Sequence, residues 1–232
     1  MKLARRALVL LALLAALPAA AREAPYLTAQ DLDLVAILPP PIASGSPADR
    51  EQQAVVLAAQ RAATPERVAQ ARADVDEAVF AMFGAVLGPN FNAPALPATM
   101  RLFERLGRTE DVVVGPAKKA FGRVRPYLAD PEIKPLAGHS TSGSYPSGHT
   151  SRVNLAAIVL GDLVPEQRAA IWARARDYAW SRVIGGVHYP NDLDGGARAG
   201  TAIAVAVRSR PEFRADFDAA RRELRPALGL QL

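Results

Sequence analysis

Cysteine is absent from the 232 residues, so no disulfide can staple the chain and no zinc site can be built on thiolates. Aromatic residues are scarce, at 6%, while alanine is abundant, which favours packed helices over a sheet. Beyond the first twenty or so residues the longest apolar stretches are broken by Arg, Asp or Gly within a dozen or so positions. No segment there is expected to span a bilayer. No Lys/Arg-rich run stands out, so nucleic acid is not an expected partner. Histidines and carboxylates do not fall at metal-ligand spacing, so neither a metal nor another cofactor is expected.

What is present points to one helical domain. Half of the residues are hydrophobic and the length suits a single sizeable core, giving an all-α, single-domain helical bundle as the expected fold. The beginning is a separate matter. Lys2, Arg5 and Arg6 precede an apolar run from Ala7 to Ala16, then Pro18 and Ala19-Ala20-Ala21, the pattern of a cleaved secretory signal over residues 1–21. Its removal takes away three positive charges and no acidic ones, so the formal net charge falls from +5 to +2. The mature domain would be residues 22–232, with 22–46 a proline-rich irregular arm carrying a short helix near Gln30.

Apolar spacing and caps predict helices over 49–63, 65–87, 98–107, 110–121, 148–163, 165–183, about 189–207 and 212–224. Thr64 and Thr109 stand as caps, and Ile171, Tyr178 and Trp180 are expected to face inward. Gly195, Gly196 and Gly200 suggest a close approach between helices.

The stretch with most chemistry is Gly143 to Thr150, Gly-Ser-Tyr-Pro-Ser-Gly-His-Thr. Ser147 is a good N-cap, Gly148 lets backbone approach a bound group, and a helix start offers free N–H groups and a positive dipole end to an anion. His149 falls in that first turn. Alone, the tetrad could spell any surface turn, just as Lys118, Lys119, Arg123 and Arg125 could be a solvated helix end. Ordered together, the chain reads Lys118-(six residues)-Arg125-Pro126, Pro146-Ser147-Gly148-His149 and Ser181-Arg182-(five residues)-His188-(three residues)-Asp192.

These three segments resemble, at every fixed position, the tripartite signature of the type 2 phosphatidic acid phosphatase superfamily. The wider text, the export signal and the length are similar to the bacterial class A non-specific acid phosphatases, from roughly Leu38 to the terminal helix. The resemblance implies an acid phosphatase acting in the periplasm on small phosphate monoesters, without a metal, through a phosphohistidine on His188. It allows a homo-oligomer.

The residues carry the same reading. A phosphate monoester needs cations on its equatorial oxygens, an in-line nucleophile and a proton for the leaving alkoxide. Lys118, Arg125 and Arg182 supply charge, and Ser147 with the Gly148 N–H extends the phosphate cradle. If the last large helix begins before His188, then His188 and Asp192, four apart, share a face, and the carboxylate can hold one ring nitrogen while the other attacks phosphorus. His149 remains as general acid. His139 sits in a serine- and proline-rich loop and is expected to be solvated. Lys119 and Arg123 fall out of register with the phosphate-binding set.

Two departures touch substrate choice. Class A relatives commonly carry a cysteine pair, one member where Gly185 stands, and Tyr189-Pro190 replaces their usual pair after the nucleophile. Three other readings stay open: a vanadium haloperoxidase using the same residues, a lipid or pyrophosphate phosphatase, and an exported helical protein that binds phosphate without turning it over.

Overall fold

Along the described residues, 23–136 and 138–232 of the computed structural model, ten α-helices follow one another and no strand forms. They are α1 (Leu34–Ile37), α2 (Pro47–Ala62), α3 (Pro65–Ala73), α4 (Val79–Leu87), α5 (Pro97–Phe121), α6 (Pro126–Ala129), α7 (Gly148–Leu163), α8 (Arg168–Ile184), α9 (Pro190–Val207) and α10 (Pro211–Ala227). The expected export signal, residues 1–21, lies outside the described residues. Proline opens α2 and α3 at a position where its missing N–H costs nothing, and the Ser46 and Thr64 hydroxyls accept from Asp49 N and Arg67 N one turn on.

Helix α7 is the centre. It packs against α9, α8, α5, α10 and α4, and Val153, Leu155, Val159, Leu160 and Leu163 are all buried on it. Each such side chain contributes about 1.5–3 kcal/mol by leaving water. The close approach of α9 depends on its glycines. A Cβ on Gly196 would stand 2.5 Å from Ser147 O, and one on Gly200 would stand 2.4 Å from Ser151 O. That contact lets Ser147 N donate to Asp192 O at 2.9 Å, which ties the start of α7 to the first turn of α9.

Four expectations need correction. The helices expected over 98–107 and 110–121 are one, α5, because Thr109 does not cap: its hydroxyl donates back to Arg105 O at 2.8 Å and accepts from Tyr26 N at 2.9 Å. The segment 65–87, in contrast, is two helices. Asp74 is buried, and its carboxylate takes bonds from Arg174, Ser181 and Gln70 that end α3 and leave a short link to α4. Trp180 is 40% exposed, whereas Ile171 and Tyr178 are fully buried. On a helix, positions two apart point about 200° away from each other, so Tyr178 and Trp180 cannot share a face. In the arm, the short helix is Leu34–Ile37 with Asp33 as its cap, and Gln30 belongs to a turn before it.

Candidate active site

The start of α7, the end of α5, the end of α8 and the start of α9 meet around a cavity of about 430 Å3. Lys118, Arg125, Gly148, His149, Arg182 and His188 all line it. Ser147 and Asp192 are buried directly behind them. A larger open groove of about 830 Å3 along α9 holds none of these residues.

Ser147 caps α7, its hydroxyl accepting from Thr150 N at 3.4 Å and Thr150 Oγ1 at 3.0 Å. Lys118 Nζ reaches over to Gly143 O at 3.1 Å. Burial first, and then the charge of Arg125, push this lysine down to about 8, so it remains a cation at acid and neutral pH. Arg125 is wrapped by the loop before α7, donating to Ser142 O, Ser140 Oγ, Ser142 Oγ and Gly143 O, and on the other side to Val187 O. Arg182 donates through one terminal nitrogen to Ala71 O at 2.7 Å, and its Nε is buried without a partner.

The nucleophile candidate is oriented from both ends. Arg125 Nη1 lies 3.3 Å from His188 Nε2. A guanidinium can only donate, so Nε2 must present its lone pair and the ring proton sits on Nδ1, facing Asp192 Oδ2 at 3.5 Å. That separation is too long for a closed hydrogen bond, and Nδ1 is otherwise unpartnered. Sites of this kind commonly tighten when substrate arrives. Burial pushes His188 below its ordinary value, against the pull of Asp192, and so favours the neutral ring. For Asp192, burial alone would raise the carboxyl, but the facing His188 ring, the Arg123 guanidinium and the Tyr189 N–H reverse that and leave it below the usual range.

The PAP2 superfamily model matches residues 106–215, which contain the whole constellation. The acid phosphatase of Zymomonas mobilis is 31% identical over 202 residues, covering 84% of this chain and 76% of that protein. The chain belongs to the PAP2 superfamily. Two solved structures share its fold. A transmembrane PAP2-type phosphatidylglycerolphosphate phosphatase from Bacillus subtilis matches with a TM-score of 0.51 at 21% identity, over 78% of this chain and 91% of that one. A bacterial vanadium-dependent iodoperoxidase matches with a TM-score of 0.58 at 17% identity, over 75% and 52%. Among the described residues no helix here is long and apolar enough to cross a membrane.

Around this PAP2 site stand groups that motif spacing does not single out. Arg123 does not line the cavity. It is 4% exposed, stacks over Tyr189, and donates to Asp192 Oδ1 at 2.8 Å and Asp49 Oδ1 at 3.0 Å. Lys119, by comparison, is exposed. His139 is in the cavity wall, its ring 4.9 Å from that of Tyr127. Glu77, Glu110 and Asp111 form an acidic side of the cavity next to His149. Burial raises Glu110 to about 7 even though Arg152 bonds it at 2.9 Å.

Replacing Arg125 or Arg182 with Ala is expected to lower kcat/KM by on the order of 3 kcal/mol, roughly a hundredfold or more, the scale of one well-aimed donor to a transition-state charge. Lys119→Ala should stay within the error of a surface change. Steady-state kinetics of the three variants checks this, and an equal loss at Lys119 would break the spacing argument.

Proposed function

We propose that this chain is a metal-independent acid phosphatase that hydrolyses small phosphate monoesters in the periplasm through a phosphohistidine. The observation that carries the reading is the convergence of Lys118, Arg125 and Arg182 on the cavity that His188 lines, with His188 Nε2 3.3 Å from Arg125 Nη1. The three cations and the α7 N–H groups hold the phosphate oxygens, a charge load that a metal would otherwise carry. Among the described residues no group of three His, Asp or Glu side chains could hold a metal ion. His188 Nε2 attacks phosphorus while His149 protonates the departing oxygen, and water, deprotonated by the same histidine, then attacks phosphorus and breaks the Nε2–phosphorus bond, releasing phosphate and the free ring. Asp192 balances the positive ring of the intermediate. Residues 1–21 direct export, so the exported protein should begin at Arg22.

The test is hydrolysis of a panel of phosphate monoesters by the exported protein in excess chelator. Full activity there, with burst release of alcohol and inhibition by vanadate, is the expected result. Activity lost in chelator and restored by magnesium would overturn metal independence, and phosphate binding without turnover would overturn the enzyme itself.

The general-acid role makes its own prediction. His149→Ala should slow phosphorylation by an alkyl phosphate roughly a hundredfold to ten-thousandfold, the range of positioned proton transfer, and affect a nitrophenyl ester far less. The nitrophenolate leaves without help. Burst kinetics must be read apart from turnover, because the same residue activates water in the second step. Equal losses on both esters would make His149 a phosphate ligand instead.

A further inference from the structure

We propose that Glu77 is the positioning residue for His149, its carboxylate fixing the ring proton on Nδ1 so that Nε2 is the nitrogen that exchanges a proton with substrate and water. This rests on the reading of His149 as the general acid.

Glu77 lies on the link between α3 and α4, and the link is clamped on both sides of it. Asp74 is held by Arg174 and Ser181, the Tyr178 hydroxyl donates to Asp76 O at 3.0 Å, and Asp76 Oδ1 accepts from Ala78 N at 2.8 Å. From there Glu77 Oε1 stands 3.2 Å from His149 Nδ1, while Nε2 lies 3.3 Å from Val75 O. Both ring nitrogens therefore face acceptors from the same five-residue link. The two contacts are nearly equal in length, but the carboxylate carries a charge and the carbonyl does not, so Nε2 is the end that a departing oxygen can take over.

The surroundings explain why a carboxylate is needed. His149 is faced by Lys118, Glu110 and Asp111 of α5, Arg152 of its own helix, Arg182 and Tyr178 of α8, and Arg125 and His188 across the cavity. Burial, and then Arg182, Arg152 and Lys118, push it down to about 3, opposed by the Val75 carbonyl. Arg152 bonds Glu110 at 2.9 Å and Asp111 at 2.6 Å and comes no nearer than 4.0 Å to Glu77. Those two carboxylates are thus already engaged, and Glu77 is the one left to the histidine. As the His188 Nε2–phosphorus bond forms and the phosphorus–oxygen bond breaks, the His149 Nε2 proton passes to the leaving oxygen. The ring is then neutral, its remaining proton held on Nδ1 by Glu77, and Nε2 is free to take a proton from the attacking water.

The test compares Glu77→Gln, Glu77→Asp and His149→Ala in burst kinetics with an alkyl phosphate and a nitrophenyl ester across pH. Glu77→Gln should lose roughly tenfold to a hundredfold in phosphorylation by the alkyl phosphate, with little change on the nitrophenyl ester. The alkaline limb of its kcat/KM for the alkyl phosphate should move to lower pH, because removing a nearby negative charge disfavours the imidazolium. Glu77→Asp should recover part of both effects. Equal losses on the two esters, or an unmoved limb, would reduce Glu77 to a structural neighbour of Arg152. If His149→Ala itself fails to distinguish the esters, the general-acid reading fails first and takes this proposal with it. Should Glu77→Gln not fold, the wild-type ring decides: the chain has three histidines, so their nitrogen-15 resonances can be assigned by single substitution. A proton on Nδ1 of His149 above the alkaline limb is expected, and the Nε2–H tautomer there would overturn the proposal.

Discussion

His188→Ala is expected to abolish turnover on every phosphate ester while leaving the fold and phosphate binding largely intact. The reason lies in how the ring is used. Lys118, Arg125 and Arg182 come from α5, from its exit and from α8, and none of them depends on the imidazole for its place: Arg125 alone has four partners in the 140–143 loop. Removing the ring therefore removes the proposed nucleophile but keeps the cradle. The fold should tolerate the change, because the contacts of Tyr189 and Asp192 that start α9 are made by other atoms. Binding of inorganic phosphate, followed by calorimetry, measures the retained cradle. Rapid acid-free quenching with labelled substrate measures the phosphoenzyme, which should be absent. His139→Ala is the matched control: His139 lines the same cavity but packs on Tyr127, and it has no carboxylate behind it, so its loss should change turnover little. Comparable losses in both variants would mean that the wrong histidine carries the phosphoryl group.

The contrast between those two histidines shows what the sequence could reveal. Ser147, Gly148 and His149 were legible because an N-cap is a local device, spelled by adjacent residues and read without knowing what surrounds it. Lys118, Arg125, Arg182, His188 and Asp192 were legible only as a spaced set, and the structure does bring them or their neighbours to one cavity. Contacts that join distant segments left no trace in spacing. Glu77 reaches His149 from 72 positions away, and Asp49 reaches Arg123 from 74. The same limit explains the helix boundaries. Thr109 and Asp74 are both cap-forming residues, and which one ends a helix depends on partners supplied elsewhere: Tyr26 for the first, Arg174 and Ser181 for the second. The glycines of α9 were readable as a close approach, since nothing but missing side chains was needed to infer it.

Asp192→Asn should be nearly as damaging as loss of the nucleophile, with phosphorylation slowed by about ten-thousandfold, the scale known for neutralising a carboxylate that orients a catalytic histidine. Two functions are lost together. An amide can turn its NH2 toward Nδ1 and so favour the tautomer whose proton sits on Nε2, where the lone pair must be. It also withdraws the charge that balances the ring once Nε2 is bonded to phosphorus. Arg123 decides how the variant fails. Its guanidinium spans Asp192 and Asp49 with all three groups buried, so the amide leaves a buried cation with one carboxylate instead of two. Breaking one member of a buried ionic set costs about 3–5 kcal/mol when an uncompensated charge remains, but Asp49 persists here and the loss should be smaller. A folded, less stable and almost inactive protein is therefore expected for Asp192→Asn. Arg123→Ala would leave two buried carboxylates facing each other and should cost more stability than Asp192→Asn does, while activity in whatever fraction folds stays above that of Asp192→Asn because the carboxylate behind His188 is still present. Thermal unfolding and single-turnover kinetics on both variants separate the two roles. If Arg123→Ala folded normally and lost as much phosphorylation rate as Asp192→Asn, the guanidinium would belong to the chemistry and not to the support behind it.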